Sequence, residues 1–243
     1  MRKLLTLVLI LALQASAVCQ EIVDDLKPFT RIVASPRINV VLKRGDRESI
    51  RLVYRAVTKD KVNINQKGKT LRIFLDRARK VEPTIHTNDG HSKHGIYEGV
   101  SVTAYITYRD LESLEIRGTQ ELTCLDLIDT KKFVLRAYGE NEITFAALKT
   151  DFFKVALYGE NTLKIKAGKA IEQKYRLFGE NKISSQDMKS SYTSTSIFGE
   201  AKLHINTSEE VIINAFGEPV IDVDGGAHVN RRLIFGKAEI TRR

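Results

Sequence analysis

Glutamate recurs once per repeat in the second half of this chain. Glu140, Glu160, Glu180, Glu200 and Glu218 each follow a glycine, and an aromatic residue (Tyr138, Tyr158, Phe178, Phe198, Phe216) directly precedes that glycine, with Phe235 continuing the series. Aromatic faces stack on sugar rings or extended peptide, and an outward apolar stripe edged with carboxylates can serve as a binding platform. The same rings could instead stack on one another and shield a corner from water. A cation held along the glutamates is a third use, but the chain has no Asp-x-Asp-x-Asp-Gly or Gly-Gly-x-Gly-x-Asp loop of the calcium-binding kind. The candidate binding residues are therefore Tyr138, Glu140, Tyr158, Glu160, Phe178, Glu180, Phe198 and Glu200.

Two other groupings merit weighing. His86, His91 and His94 fall close together with Asp89 among them, and neutral imidazoles at such spacing can hold a divalent metal. A polar loop with incidental histidines is the competing reading, so no metal site is assigned. Asp222 and Asp224 are the nearest approach to a paired carboxylate on one strand. Glycoside hydrolysis needs two carboxyl groups flanking the scissile bond, whereas acids here recur singly and fit a strand exterior and a turn. No Ser/His/Asp order, phosphate loop or helical zinc motif occurs. The expectation is a protein without catalytic residues or cofactor, with a polysaccharide-active β-helix enzyme as a minor alternative.

The glycines themselves set the frame. Tyr138-Gly139-Glu140-Asn141, Tyr158-Gly159-Glu160-Asn161 and Phe178-Gly179-Glu180-Asn181 are the best copies of one phrase, with degenerate copies at Gly118, Gly199, Gly217 and Gly236. Successive spacings are 21, 20, 20, 20, 18 and 19 residues. A fixed period near 20 marks a solenoid, in which each repeat is one coil that cannot bury its apolar face alone. Four residues after each glycine stand Leu122, Ile143, Leu163, Ile183, Leu203, Ile221 and Ile240, and six after stand Cys124, Phe145, Ile165, Ser185, Ile205 and Val223. Polar residues separate the two series, which is the period of a half-buried strand. Two residues before each glycine the position is again apolar, from Ile116 to Ile234. Stacking would place equivalent residues about 4.8 Å apart. Gly139, Gly159 and Gly179 then form one structural ladder, and Asn141, Asn161 and Asn181 another whose amides can hydrogen-bond to each other.

Residues 29–110 lack the phrase but alternate in the same way, with a turn at Lys67-Gly68-Lys69 and a polar loop over 76–99. These strands either continue the stack or cap it. Ahead of them, residues 1–17 read as a signal peptide: Arg2 and Lys3, an apolar run Leu4–Leu13, then Ala15-Ser16-Ala17. The run is too short to span a bilayer. Residues 18–28 form a leader segment, and Cys19 lacks the Leu and small residue that lipidation would want before it. Cys124 sits on an internal ladder, so no structural disulfide is expected. The net charge is +9; in an exported chain this favours anionic envelope polymers or lipid headgroups, not nucleic acid.

Taken together, Ile38–Asp46 (INVVLKRGD), Gly68–Ile73 (GKTLRI), Val102–Thr123 (VTAYITYRDLESLEIRGTQELT) and the Gly-x-Asn coils after Gly118 resemble the putative auto-transporter adhesin family with its head GIN domain. The resemblance covers nearly all of residues 29–243, treated as one domain with 111–243 as its repeat coils. It implies an all-β, right-handed β-helix-like solenoid of bacterial envelope proteins, placed in the periplasm, on the outer-membrane surface or outside the cell. This chain departs from it in carrying Glu between Gly and Asn, and in losing Asn from its last three coils. The function expected is non-catalytic adhesion, with an envelope glycan or surface protein as partner and peripheral membrane contact as a further option. The alternative is a structural or assembly protein that oligomerises through its solenoid ends, because open ends are unpaired strand edges.

Overall fold

Alternation of buried and exposed residues runs through the chain, and the strands follow it. The computed structural model describes residues 19–23, 26–86 and 92–243. The expected signal peptide and the Cys19 thiol lie outside the described positions and side chains. The fold is all-β, and a 3-10 turn at Lys59–Lys61 is the one helical element among the described residues. No helix there is long and apolar enough to cross a membrane.

The first half contributes β1 (Cys19–Val23), β2 (Arg31–Ala34), β3 (Ile38–Arg44), β4 (Ser49–Arg55), β5 (Val62–Lys67), β6 (Thr70–Leu75), β7 (Thr84–His86), β8 (Lys93–Gly95) and β9 (Ser101–Tyr108). The second half contributes β10 (Ser113–Ile165), β11 (Gly168–Gly217), β12 (Val220–Asp224), β13 (His228–Phe235) and β14 (Glu239–Arg242). β10 and β11 hold 53 and 50 residues of extended backbone. Neither is a straight strand, because the chain returns upon itself every coil. β10 pairs parallel with β11 from Leu148↔Gly168 to Lys164↔Ser184, an offset of 20 residues. The offset is 18 for Lys202↔Val220 and 19 for Ile221↔Ile240. These are the spacings of the glycines, so each coil lies on the next in register.

The same parallel pairing continues into the first half. β2 and β3 lie on β10, as in Leu114↔Ile32 and Leu122↔Val40. β6 then lies on β2 and β9 on β3. Beyond them the pairing turns antiparallel: β5 on β6, β4 on β9, and β1 on β4. Residues 29–110 thus both extend the stack and close it, within one sheet of 12 strands. The antiparallel strands cover the edge that the parallel stack would otherwise leave unpaired at this end.

The region 76–99, read from sequence as a loop, carries the small antiparallel pair β7–β8. Glu82 fixes it: its carboxylate meets Arg37 at 2.7 Å and accepts from the Tyr97 backbone N–H at 2.7 Å. A polar composition hid this hairpin, since its side chains are mostly exposed and give no apolar alternation.

The interior is built from the predicted ladders. Leu122, Ile143, Leu163, Ile183, Leu203 and Ile221 are all at most 2% exposed, as are Ile116, Ala137, Leu157, Leu177, Ile197 and Ala215. Each such aliphatic side chain contributes roughly 1.5–3 kcal/mol on burial if large. Ser185 breaks the series six residues after its glycine, and the reason is local. Tyr175, fully buried, shares a hydrogen bond of 3.1 Å with Ser185 and donates another to Gln173. A second buried polar knot joins Ser190, Thr193 and Thr207 at 2.7–3.1 Å. These groups satisfy one another, which removes most of the cost of burying them.

Cys124 is 1% exposed and carries no disulfide, as its ladder position requires. Its thiol lies 3.4 Å from the Tyr108 hydroxyl. Burial pushes Cys124 up from its ordinary value, and pushes Tyr108 and Tyr175 further still. Each group is therefore held neutral in the fold while the unfolded chain would ionise it. The stability they contribute is complete below the ordinary thiol value near 8.5 and falls as pH rises through it and then through the phenol value near 10. The urea concentration at the unfolding midpoint should thus fall steadily from about pH 8.5 upward. C124V should flatten the first part of that decline.

Candidate functional site

Each coil turns at its glycine with a backbone that side chains avoid. Gly159 has φ +106°, and a Cβ built on it would stand 2.4 Å from the Gly139 carbonyl oxygen. The requirement is double: a positive φ, and contact of backbone with backbone between coils. Three rows run along the stack from this bend.

The first row is internal. Asn141, Asn161 and Asn181 are 2–4% exposed. Asn141 donates to the Asn161 side-chain carbonyl at 2.8 Å, Asn161 to that of Asn181 at 3.1 Å, and Asn181 to the Phe178 backbone carbonyl at 3.1 Å. Gln120 occupies the preceding rung and accepts from the Ile38 N–H at 3.4 Å. The ladder ends where Asn181 turns to backbone, so the next rung needs no amide. Ala201 and Pro219, both buried, fill it instead.

The second row is aromatic. Tyr138, Tyr158, Phe178, Phe198, Phe216 and Phe235 stack in sequence, centroids 4.8–5.1 Å apart and rings within 11° of parallel. Arg117 lies over Tyr138 at 4.7 Å and closes one end by a cation–π contact. The rings are outward, and Phe198 and Phe216 are 39% and 37% exposed. Their faces are nonetheless taken up by one another. What they offer along the row is edges, not the open faces on which a sugar ring would lie.

The third row is acidic. Glu140, Glu160, Glu180, Glu200 and Glu218 line a groove of about 780 Å³, joined by Glu121 and Glu142, with Asn141, Asn161 and Asn181 also in its wall and Lys182 and Lys202 alongside. None of these seven carboxylates forms an ion pair within the described structure. They are exposed, so water and salt screen their mutual repulsion to about 1 kcal/mol or less per neighbouring pair. No aromatic residue lines the groove; the bend sets rings on one side of the glycine and carboxylates on the other. The contribution of Glu121 and Glu142 was missed from sequence. Its signal was present in the third residue after Gly118 and Gly139, which is acidic in these two coils and Thr or Lys in the next three.

The other candidates separate. Asp224 is engaged by the His204 imidazole at 2.8 Å, and Asp222 lies 3.9 Å from Arg243. His86 is cross-strand to Lys93 and His94 to Ile85. Neighbouring strand positions point to opposite faces, so these two imidazoles do not converge; His91 and Asp89 lie outside the described residues. No group of three His, Cys, Asp or Glu able to hold a metal occurs among the described residues.

The family model described as "Putative auto-transporter adhesin, head GIN domain" matches residues 28–227. Among solved structures, a putative adhesin from Bacteroides fragilis is 14% identical with a TM-score of 0.77, covering 94% of this chain and 98% of its own. A putative adhesin from Parabacteroides merdae is 13% identical with a TM-score of 0.68, covering 94% and 97%. A structure described as a putative lipid binding protein, from Parabacteroides distasonis, is 10% identical with a TM-score of 0.63, covering 94% and 98%. At such identities the likeness shows a shared fold. No match was found among curated proteins.

Two substitutions test the bend. N161A leaves the Asn141 amide and the Asn181 carbonyl buried without partners and should cost about 1–3 kcal/mol. G159A adds a strained backbone and a clash with the Gly139 carbonyl, and should cost about 3 kcal/mol. Chemical denaturation of both measures the difference.

Proposed function

The chain belongs to the putative auto-transporter adhesin, head GIN domain family, and on that premise we propose that it is an exported, non-catalytic envelope protein that adheres through the face carrying the glycine bends. The partner is an envelope glycan or a surface protein. Glu140, Glu160, Glu180 and Glu200 supply carboxylates to it, and the edges of Tyr138, Tyr158, Phe178 and Phe198 border the contact. The observation that carries this reading is the groove: seven carboxylates without ion pairs on a chain of net charge +9. Lys182 and Lys202 also line the groove, yet neither pairs with a glutamate there, in contrast to Lys149 and Asp129, which lie 2.8 Å apart elsewhere on the coils.

The coil is read as a right-handed β-helix. Parallel strands joined by a crossover are right-handed in nearly all proteins, which supports that hand. A non-catalytic role is supported by the spacing of the groove acids, one per coil apart from Glu140 and Glu142, and by the engagement of Asp224 with His204. The sequence of residues 1–17 supports export.

The triple variant E160Q/E180Q/E200Q keeps shape and removes charge. Beads bearing the wild-type chain should adhere to surfaces coated with mucin, peptidoglycan or whole bacterial cells, and beads bearing the variant should lose at least about tenfold of that adhesion. Its melting temperature should be equal or higher, because like-charge repulsion is relieved. Equal adhesion by wild type and variant would remove the groove from the interaction. Protease treatment of intact cells provides the location: degradation places the chain on the surface, and protection until the outer membrane is broken places it in the periplasm.

A further inference from the structure

Half a coil from the glycine bend the surface changes character. Lys149, Lys169 and Lys189 each stand ten residues after a bend glycine in coils of 20, and Lys149 pairs in register with Lys169. Five residues further on, Lys154 pairs with Lys174 to form a second lysine row. Between the rows, Phe152, Ile171 and Tyr192 are 50%, 50% and 48% exposed. Phe152 is in register with Glu172, one coil from Tyr192, and Lys131 stands 21 residues before Phe152, the spacing of that pair of coils. The surface is thus a strip in which Phe152 and Tyr192 flank Glu172 in one column and Ile171 stands beside it in the next, level with Asp151, with lysines along both margins.

The acids nearby are Asp129, Asp151, Glu172 and Asp187. Asp129 is held by Lys149 at 2.8 Å, while Lys154, Lys169, Lys174 and Lys189 form no ion pair within the described structure. Beside the first lysine row a cleft of about 470 Å³ is lined by Lys169, Lys189, Ser190, Ser191, Asn206 and Ser208 together with Ala170 and Gly225. The Ser190 and Ser208 hydroxyls are engaged within the fold, so the donors this cleft offers a phosphate ester are the ammonium groups of Lys169 and Lys189 with the Ser191 hydroxyl. Large apolar side chains left in water between lysines contribute little to the fold. At a lipid surface the same arrangement is favourable: rings and aliphatic chains enter the boundary between headgroups and acyl chains, and lysines reach back to the phosphates.

We propose that this edge docks on the surface of an anionic bilayer. The proposal goes beyond adhesion through the groove and does not depend on it. A chain seated this way lies on the membrane by the lysine edge and turns its glycine bends, half a coil away, towards the medium.

Co-sedimentation with vesicles tests it. The wild-type chain should pellet with mixed phosphatidylglycerol–phosphatidylcholine vesicles, less so as salt rises, and should stay in solution with pure phosphatidylcholine. F152S/I171S/Y192S and K169E/K189E, each verified as folded by circular dichroism, should lose at least about tenfold in partitioning, given roughly fivefold per lysine at an anionic surface. The milder K169Q/K189Q serves if either fails to fold, and all proteins share one N-terminus, so any leader acts on them equally. E160Q/E180Q/E200Q should partition at least as well as wild type, because it removes negative charge from the chain; loss of adhesion without loss of partitioning then separates the groove from this edge. Failure of the wild type to pellet, equal pelleting on neutral vesicles, full release by inorganic phosphate, or undiminished pelleting of the folded variants would each overturn the proposal.

Discussion

Residues one coil apart hydrogen-bond in parallel register, so every coil meets its own sequence in the next. Side chains in such a stack face copies of themselves about 4.8 Å away. The constraint sorts residue types by whether they tolerate their own kind at that distance. Aliphatic chains do, and fill the interior. Amides do, because each carries both donor and acceptor, and Asn141, Asn161 and Asn181 form a hydrogen-bonded file in the wall of the bend. Flat rings do, and six of them make a column along the outside. Carboxylates do not, and they occur as a row only where water reaches them.

The glycine bend translates that constraint into a surface with distinct sides. It puts rings before the turn and carboxylates after it, one residue either way, while the amide two residues on returns to the interior. Because the backbones of successive bends touch, no side chain at the glycine position can separate the rows. The molecule therefore presents parallel lines of like chemistry, each with its own sign and polarity. The acidic line and the lysine line stand half a coil apart, on the same coils.

Much of this was legible in the sequence. Alternation around the glycines identified the internal aliphatic positions, and the recurrence of Asn identified the amide file. The sequence allows the aromatic row to be either an open platform or rings stacked on one another, and the stacked column is what forms; a one-dimensional pattern could not tell the two apart, because the tilt of each ring against its neighbour decides whether faces or edges are offered. The polar Ser185 on an apolar ladder has its partner in Tyr175, ten residues earlier, a pairing that alternation alone does not reveal. The hairpin of β7 and β8 was hidden because it is exposed on both faces. The antiparallel closure by β1, β4 and β5 was equally invisible, since an alternating strand reads the same whether its neighbour runs with it or against it.

The two halves also differ in how far apart in sequence their partners lie. Coils of the second half join residues 20 apart, as in Leu157 and Leu177. Joining the first half to them requires partners 82 apart, as in Ser113 and Arg31. Closing a short loop loses less chain entropy than closing a long one, and topologies with nearby partners fold faster. The repeat coils can consequently assemble one upon another while the first half is still undocked, with β10 as the template on which β2 and β3 later settle. By loop length alone, β5 and β6, whose partners are 3–13 residues apart, can pair as early as the coils, and the long-range docking of β2 and β3 onto β10 is the step with the largest closure entropy.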